Sequence, residues 1–148
     1  MGIRGQALNF FRPSLGAVHA LLREAELPTA DLTSAHLEHF IGCGVGESLA
    51  GVVGVELYPP LALLRSLAVA GAERSQGLGA RLVGEAERHA REHGASEIYL
   101  LTTSAERFFS RAGYERIDRE AAPSAIRATR EFASLCPASA ALMRKPLA

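Results

Sequence analysis

The segment Arg74-Ser75-Gln76-Gly77-Leu78-Gly79-Ala80 combines a permanent cation, two closely spaced glycines and the start of an amphipathic helical pattern. Gly77 and Gly79 let a backbone approach a ligand closely. The first N–H groups of a helix have no partner within it, and together with the helix dipole they favour negative charge. Arg74 adds to that field, so a diphosphate is the natural occupant. A dinucleotide fingerprint would want a third glycine where Leu82 stands, and the next extended run ends in Thr102-Thr103 rather than in an acidic residue for a ribose. A Walker loop would need a lysine that the segment lacks.

What remains is Arg-x-x-Gly-x-Gly after a run ending Leu67-Ala68-Val69, followed by the stretch Ala105-Glu106-Arg107-Phe108-Phe109-Ser110-Arg111-Ala112-Gly113-Tyr114. In this order the two elements resemble the GNAT superfamily of acyl-CoA N-acetyltransferases. The resemblance implies an α/β (α+β) fold with a mixed, mostly antiparallel sheet, a splayed acetyl-CoA slot and about four to five flanking helices. It implies acetyl-CoA as co-substrate, held by Leu67, Ala68, Val69, the loop Arg74, Ser75, Gln76, Gly77, Leu78, Gly79 and Ala80, and by Phe109. An amine would attack the thioester while N–H groups near Leu67 and Val69 steady the carbonyl oxygen. The superfamily's Tyr that often protonates the departing thiolate is matched by Phe109, which has no hydroxyl, leaving Ser110, Tyr114 or a water. Glu56 is the best-placed carboxylate for a general base, and equally an ordinary solvent-facing strand residue.

Three further stretches, Leu27-Pro28-Thr29-Ala30-Asp31-Leu32, Leu64-Arg65-Ser66-Leu67-Ala68-Val69 and residues 125–140, resemble the small arsenic-resistance N-acetyltransferases. That resemblance implies a small acidic amino acid or analogue, such as arsinothricin, acetylated on its amino group. Arg suits bidentate contact with such a substrate, which makes Arg65, Arg127 and Arg130 the substrate candidates, with Thr29 and Asp31 closing the pocket. An Arg in an apolar strand needs a partner in any case, whereas Arg127 and Arg130 are equally well solvated helix residues. Acetylation of another amine (an antibiotic or a protein N-terminus) and an acyl-CoA sensor without catalysis are the competing readings. A homodimer is expected from the superfamily.

These groups need a frame. Pro13-Ser14 opens a helical pattern carrying Leu15, Val18, Leu21 and Leu22, and Pro28 closes it. Thr33-Ser34 is placed to cap a second helix through Leu37, Phe40 and Ile41. Residues 42–46 are weakly extended, Gly46-Glu47-Ser48 is a plausible turn, and Leu49 to Tyr58 a Val-rich strand stopped by Pro59-Pro60. Leu61 to Val69 is apolar on both faces except at Arg65 and Ser66, as in a central strand. Gly77 to His93 forms the strongest helical pattern, with Gly94 as terminator. Beyond it, Glu97 to Thr102 reads as a strand, Ala105 to Ala112 as a helix capped by Ser104, and Tyr114 to Ile117 as a strand. Ser124 to Ala133 reads as a helix opened by Pro123, and Ala141 to Arg144 as a last strand.

Composition narrows the class. The 148 residues are 48% hydrophobic and 22% charged, with 16 basic and 16 acidic side chains, which suits one domain. Balanced charge leaves no surplus for nucleic acid or a membrane surface. Lys145 is the only lysine, which argues against Schiff-base chemistry. No apolar leader or spanning stretch stands out, and Cys43 and Cys136 are too few for a disulfide framework. A cytoplasmic protein with a small-molecule amine as partner is expected. His89-Ala90-Arg91-Glu92-His93 matches an inverted zinc-protease motif, but no third ligand stands near it and no metal site is assigned.

Overall fold

The computed structural model describes residues 9–44, 49–71 and 77–147. A seven-stranded sheet runs β1 (Asn9–Phe11), β2 (Phe40–Gly44), β3 (Gly51–Tyr58), β4 (Leu61–Val69), β5 (Glu97–Thr102), β7 (Ala141–Pro146) and β6 (Glu115–Ile117) in spatial order. All neighbours are antiparallel except β4 and β5. A parallel pair requires a crossover, which is supplied by α2 (Leu78–Glu92).

Alternating strand residues sort the helices onto two faces. Val53, Val55, Ala62, Leu64, Ile98 and Leu100 pack with Leu78, Leu82, Val83 and Ala86 of α2 and with Phe109 of α3 (Glu106–Arg111). On the other face Val52 and Ala68 meet Val18, Leu21 and Leu22 of α1 (Leu15–Glu24), while Leu63, Tyr99 and Leu142 meet Ile126 of α4 (Ser124–Arg127). Ser14 caps α1, its side chain accepting from the Ala17 N–H at 3.2 Å. Gly94 ends α2 at φ +92, as a terminating glycine should.

Three sequence expectations are corrected. The second helix is a single turn, His36–His39, and Phe40 and Ile41 belong to β2. Phe40 pairs with Gly54, where an added Cβ would stand 2.4 Å from the ring, so packing on the sheet overrides the helical spacing. The helix expected from Ser124 to Ala133 is split into α4 and a π-helical turn, Glu131–Leu135. Thr129 sits at the break, its hydroxyl donating to the Ile126 carbonyl and accepting from the Phe132 N–H. Ser104 does not cap α3; the Thr102 hydroxyl accepts from the Ala105 N–H instead. The turn expected at Gly46-Glu47-Ser48 lies outside the described residues.

Candidate active site

The ladder between β4 and β5 runs only from Leu61↔Glu97 to Leu63↔Tyr99, although the strands continue to Val69 and Thr102. Past Leu63 they diverge and leave a cavity of about 280 Å³. Its walls are residues 64–69 of β4, Leu100, Leu101 and Thr102 of β5, and Ala105 and Phe109 at α3, with Ala25, Leu27 and Ser104 at the rim. Leu67, Ala68, Val69 and Phe109 therefore line one slot.

The same stretch of β4 carries a bulge. Val52 pairs with Ala68 and Gly54 with Arg65, so Ser66 and Leu67 both face Val53. Ser66 takes φ +60, a conformation costing about 1–3 kcal/mol outside glycine. Its hydroxyl accepts from Arg65 Nε at 3.0 Å, and the extra residue re-aims the backbone beside the slot. The sequence shows Ser66 only as a polar interruption in an apolar strand.

Of the anion loop, Arg74, Ser75 and Gln76 lie outside the described residues. Gly77 is the N-cap of α2 at φ +75, with open space where a Cβ would be and no capping side chain. Gly79 lies under Phe108, whose ring would be 3.3 Å from an added Cβ. Leu78 commits its side chain to the core, while Ala80 is exposed. The start of α2 thus presents backbone rather than side chain, which fits a diphosphate.

Beside the slot Arg65 is the centre of an ion cluster. Its guanidinium donates to Asp31 through Nη1 at 2.5 Å and Nη2 at 2.8 Å, reaches Glu56 at 2.7 Å and lies 3.0 Å from Glu131. The Arg65 side chain is 1% exposed, and the three carboxylates are nearly as enclosed. The donors of Arg65, expected to meet an acidic substrate, are all engaged within the protein. Burial alone would raise the Asp31 carboxyl, but the Arg65 fork brings it below the usual value. With all four groups ionised the cluster carries two excess negative charges. Glu56 also accepts from the Tyr58 hydroxyl, and burial followed by that contact holds the phenol protonated. Glu131 accepts from the Cys136 thiol at 2.9 Å, and burial first, then Glu131, pushes that thiol up to about 12, which disfavours the thiolate.

The remaining sequence candidates do not converge here. Arg127 is exposed and donates to the carbonyls of Ala122 and Glu120, closing its own turn, and Arg130 is exposed on the α4 side. Neither lines the slot. Thr29 is half-buried, and its carbonyl accepts from the Leu32 N–H at 3.1 Å, shaping the turn that delivers Asp31. Ser110 is exposed and away from the slot lining, so it is not placed to protonate a thiolate. Tyr114 is buried and donates to Glu87, which Lys145 also holds. Burial and Glu87 raise its hydroxyl pKa far above the usual range. The hydroxyls that do line the slot belong to Ser66, Thr102 and Ser104. Glu131 was missed because its partner lies on β4, far along the chain.

Residues 7–117 match the family model described as the acetyltransferase (GNAT) family. Over 92 residues the chain is 35% identical to an uncharacterized N-acetyltransferase, CT2212, of Chlorobaculum tepidum, covering 62% of this chain and 59% of that protein. The chain thus spans about three fifths of the length of that relative. The fold matches N-acetylglutamate synthase of Neisseria gonorrhoeae, complexed with coenzyme A and N-acetyl-glutamate, with a TM-score of 0.84 at 17% identity, over 98% of this chain and 36% of that one. It also matches Rv2747 of Mycobacterium tuberculosis, in complex with CoA, with a TM-score of 0.75 at 18% identity, over 95% and 99% of the two chains. With most of its length matched by the family model, the slot-bearing sheet and the glycine-led start of α2 belong to a member of the GNAT acetyltransferase family.

Proposed function

We propose that this protein transfers an acetyl group from acetyl-CoA to the amino group of a small amino acid, in the slot between β4 and β5. The observation that carries this reading is the divergence of the two strands after Leu63 and Tyr99, bordered by the Ser66 bulge. Bound acetyl-CoA supplies an activated acyl thioester. Gly77 and the first turn of α2, with Arg74, receive its diphosphate, and Leu67, Ala68, Val69 and Phe109 enclose its thioester arm. The bulged backbone at Ser66 and Leu67 stabilises charge growing on the thioester oxygen.

The acceptor approaches as an ammonium, and the excess negative charge of Asp31, Glu56 and Glu131 attracts it. Glu56 takes its proton through water, because that carboxylate bonds Arg65 in the slot wall without itself lining the slot. The amine then forms the C–N bond as the C–S bond breaks. The attacking nitrogen loses its second proton to water, and the CoA thiolate, a fair leaving group, is protonated in turn from solvent or from a slot hydroxyl.

The same charge balance favours a neutral acceptor over an acidic one. A second reading keeps the acidic acceptor, arsinothricin included; N-acetyl-glutamate in the gonococcal synthase favours it. Release of CoA thiol from acetyl-CoA, measured across alanine, serine, glutamine, glutamate, aspartate, phosphinothricin, arsinothricin and unrelated amines, decides between them. Neutral amino acids are expected to give the higher kcat/KM. Preference for the acidic group would establish the second reading, and binding without thiol release from any amine would establish a sensor.

The bulge gives a separate expectation. Ser66→Gly, which accepts positive φ without strain, keeps turnover. Ser66→Val, β-branched at the same φ, lowers kcat by about 10²–10³-fold, the usual cost of losing one oxyanion contact. Steady-state thiol release at saturating acetyl-CoA reads the difference.

A further inference from the structure

His89 and His93 stand four apart at the end of α2, and the fold brings a third histidine to them. His39, the last residue of the His36–His39 turn, places Nδ1 3.0 Å from His89 Nε2, although the two are 50 residues apart in the chain. The three rings form a closed triangle with centroid separations of 5.2, 5.4 and 4.2 Å. One ligand nitrogen from each lies within 4.8 Å of the other two. We propose that His39, His89 and His93 form a site for a divalent transition metal of the zinc class, which clamps the start of β2 to the C-terminal end of α2.

The geometry needs little adjustment. Zinc–imidazole bonds are about 2.0–2.1 Å, so two nitrogens on one tetrahedral ion stand about 3.3 Å apart. The His39–His89 pair has only to open by a few tenths of an ångström. His93 Nδ1 lies 2.8 Å from the His89 carbonyl and donates to it, which fixes its tautomer and leaves Nε2 for the metal, an arrangement typical of histidine ligands. Without metal, His39 Nδ1 and His89 Nε2 share one hydrogen. On binding, one ring moves that hydrogen to its other nitrogen, and both ligate as neutral imidazoles without net proton loss.

The surroundings are suitable. The C-terminal end of a helix favours a cation. Glu38 and Glu92 line the adjoining cavity beside His89, and Arg12 and Arg88 line it too. A water or a carboxylate would complete the coordination. The 15-residue α2 separates this end from the cofactor loop by about 22 Å, so the metal acts on the fold and not on the reacting atoms.

The test uses the full, untagged chain stripped with a chelator. Titration with Co²⁺ is expected to give the visible bands of a four-coordinate ion at one equivalent, displaced by Zn²⁺, and Zn²⁺ is expected to raise the unfolding midpoint. His39→Ala, His89→Ala and His93→Ala should each weaken binding by at least about tenfold. His93 is exposed, so its variant also reports on binding without a change of fold. His36→Ala, in the neighbouring Asp31, His36 and Glu56 group, should leave binding unchanged. No stoichiometric binding, binding that survives all three substitutions, or binding lost with His36→Ala would each overturn the proposal.

Discussion

Arg65→Met is expected to destabilise the protein by about 3–5 kcal/mol, the usual cost of removing one partner from a buried ion pair. For a chain of 148 residues that is a fall in unfolding midpoint of about 6–20 °C. The methionine fills much of the same volume, so the loss arises mainly from three carboxylates left together without their counter-ion. Asp31, Glu56 and Glu131 come from three separate segments, and Arg65 is what allows them to meet. Arg65→Lys keeps the charge but loses the planar fork, and should recover only part of the stability.

The pH dependence of that gap follows from the direction of the Asp31 shift. In the wild type Asp31 is held below its ordinary value of 3.8 by Arg65 against the effect of burial. A carboxyl lowered by folding contributes stability that is fully present above its unfolded pKa and is lost as pH falls through the folded one. In Arg65→Met burial and the two neighbouring carboxylates, opposed only by His36 and a backbone hydrogen bond, raise the carboxyl instead. Protonation then favours the folded state, and the variant gains on the wild type as pH falls. Thermal unfolding followed by circular dichroism from neutral pH down through the carboxylate range should show the two midpoints converging. A constant or widening gap would mean that the cluster is not held by charge.

The sequence made the parts with local signatures visible. Glu97 to Thr102 and Leu61 to Val69 emerge with the expected bounds, because each is an apolar run between clear stops. The helix of the cofactor loop emerges within one residue of its expected bounds at each end, since its period and its terminal glycine agree. What pairs with what across the fold was hidden. Arg65 announces the need for a partner, but Asp31 is 34 positions away and Glu131 lies in a helix that breaks at Thr129. Naming Arg65, Arg127 and Arg130 as substrate candidates followed from residue type alone. The structure distributes them by burial, saturating the first and leaving the others in water. His39 illustrates the same limit, as its spacing to His89 carries no periodic signal.

The slot itself leads to the second large effect. Ala105 forms part of its wall at the start of α3, and Ser104, exposed, lies on the rim. An indole at either position occupies much of a cavity of about 280 Å³ without entering the Arg65 cluster. Ala105→Trp and Ser104→Trp are therefore expected to abolish measurable acetyl-CoA binding while leaving the unfolding midpoint near that of the wild type. The most direct measurement is calorimetric titration of acetyl-CoA into the wild type and the two variants. Saturable one-to-one binding by the wild type, lost in both variants, is the predicted result. No binding by the wild type, or variants that bind as it does, would contradict the placement of acetyl-CoA between β4 and β5.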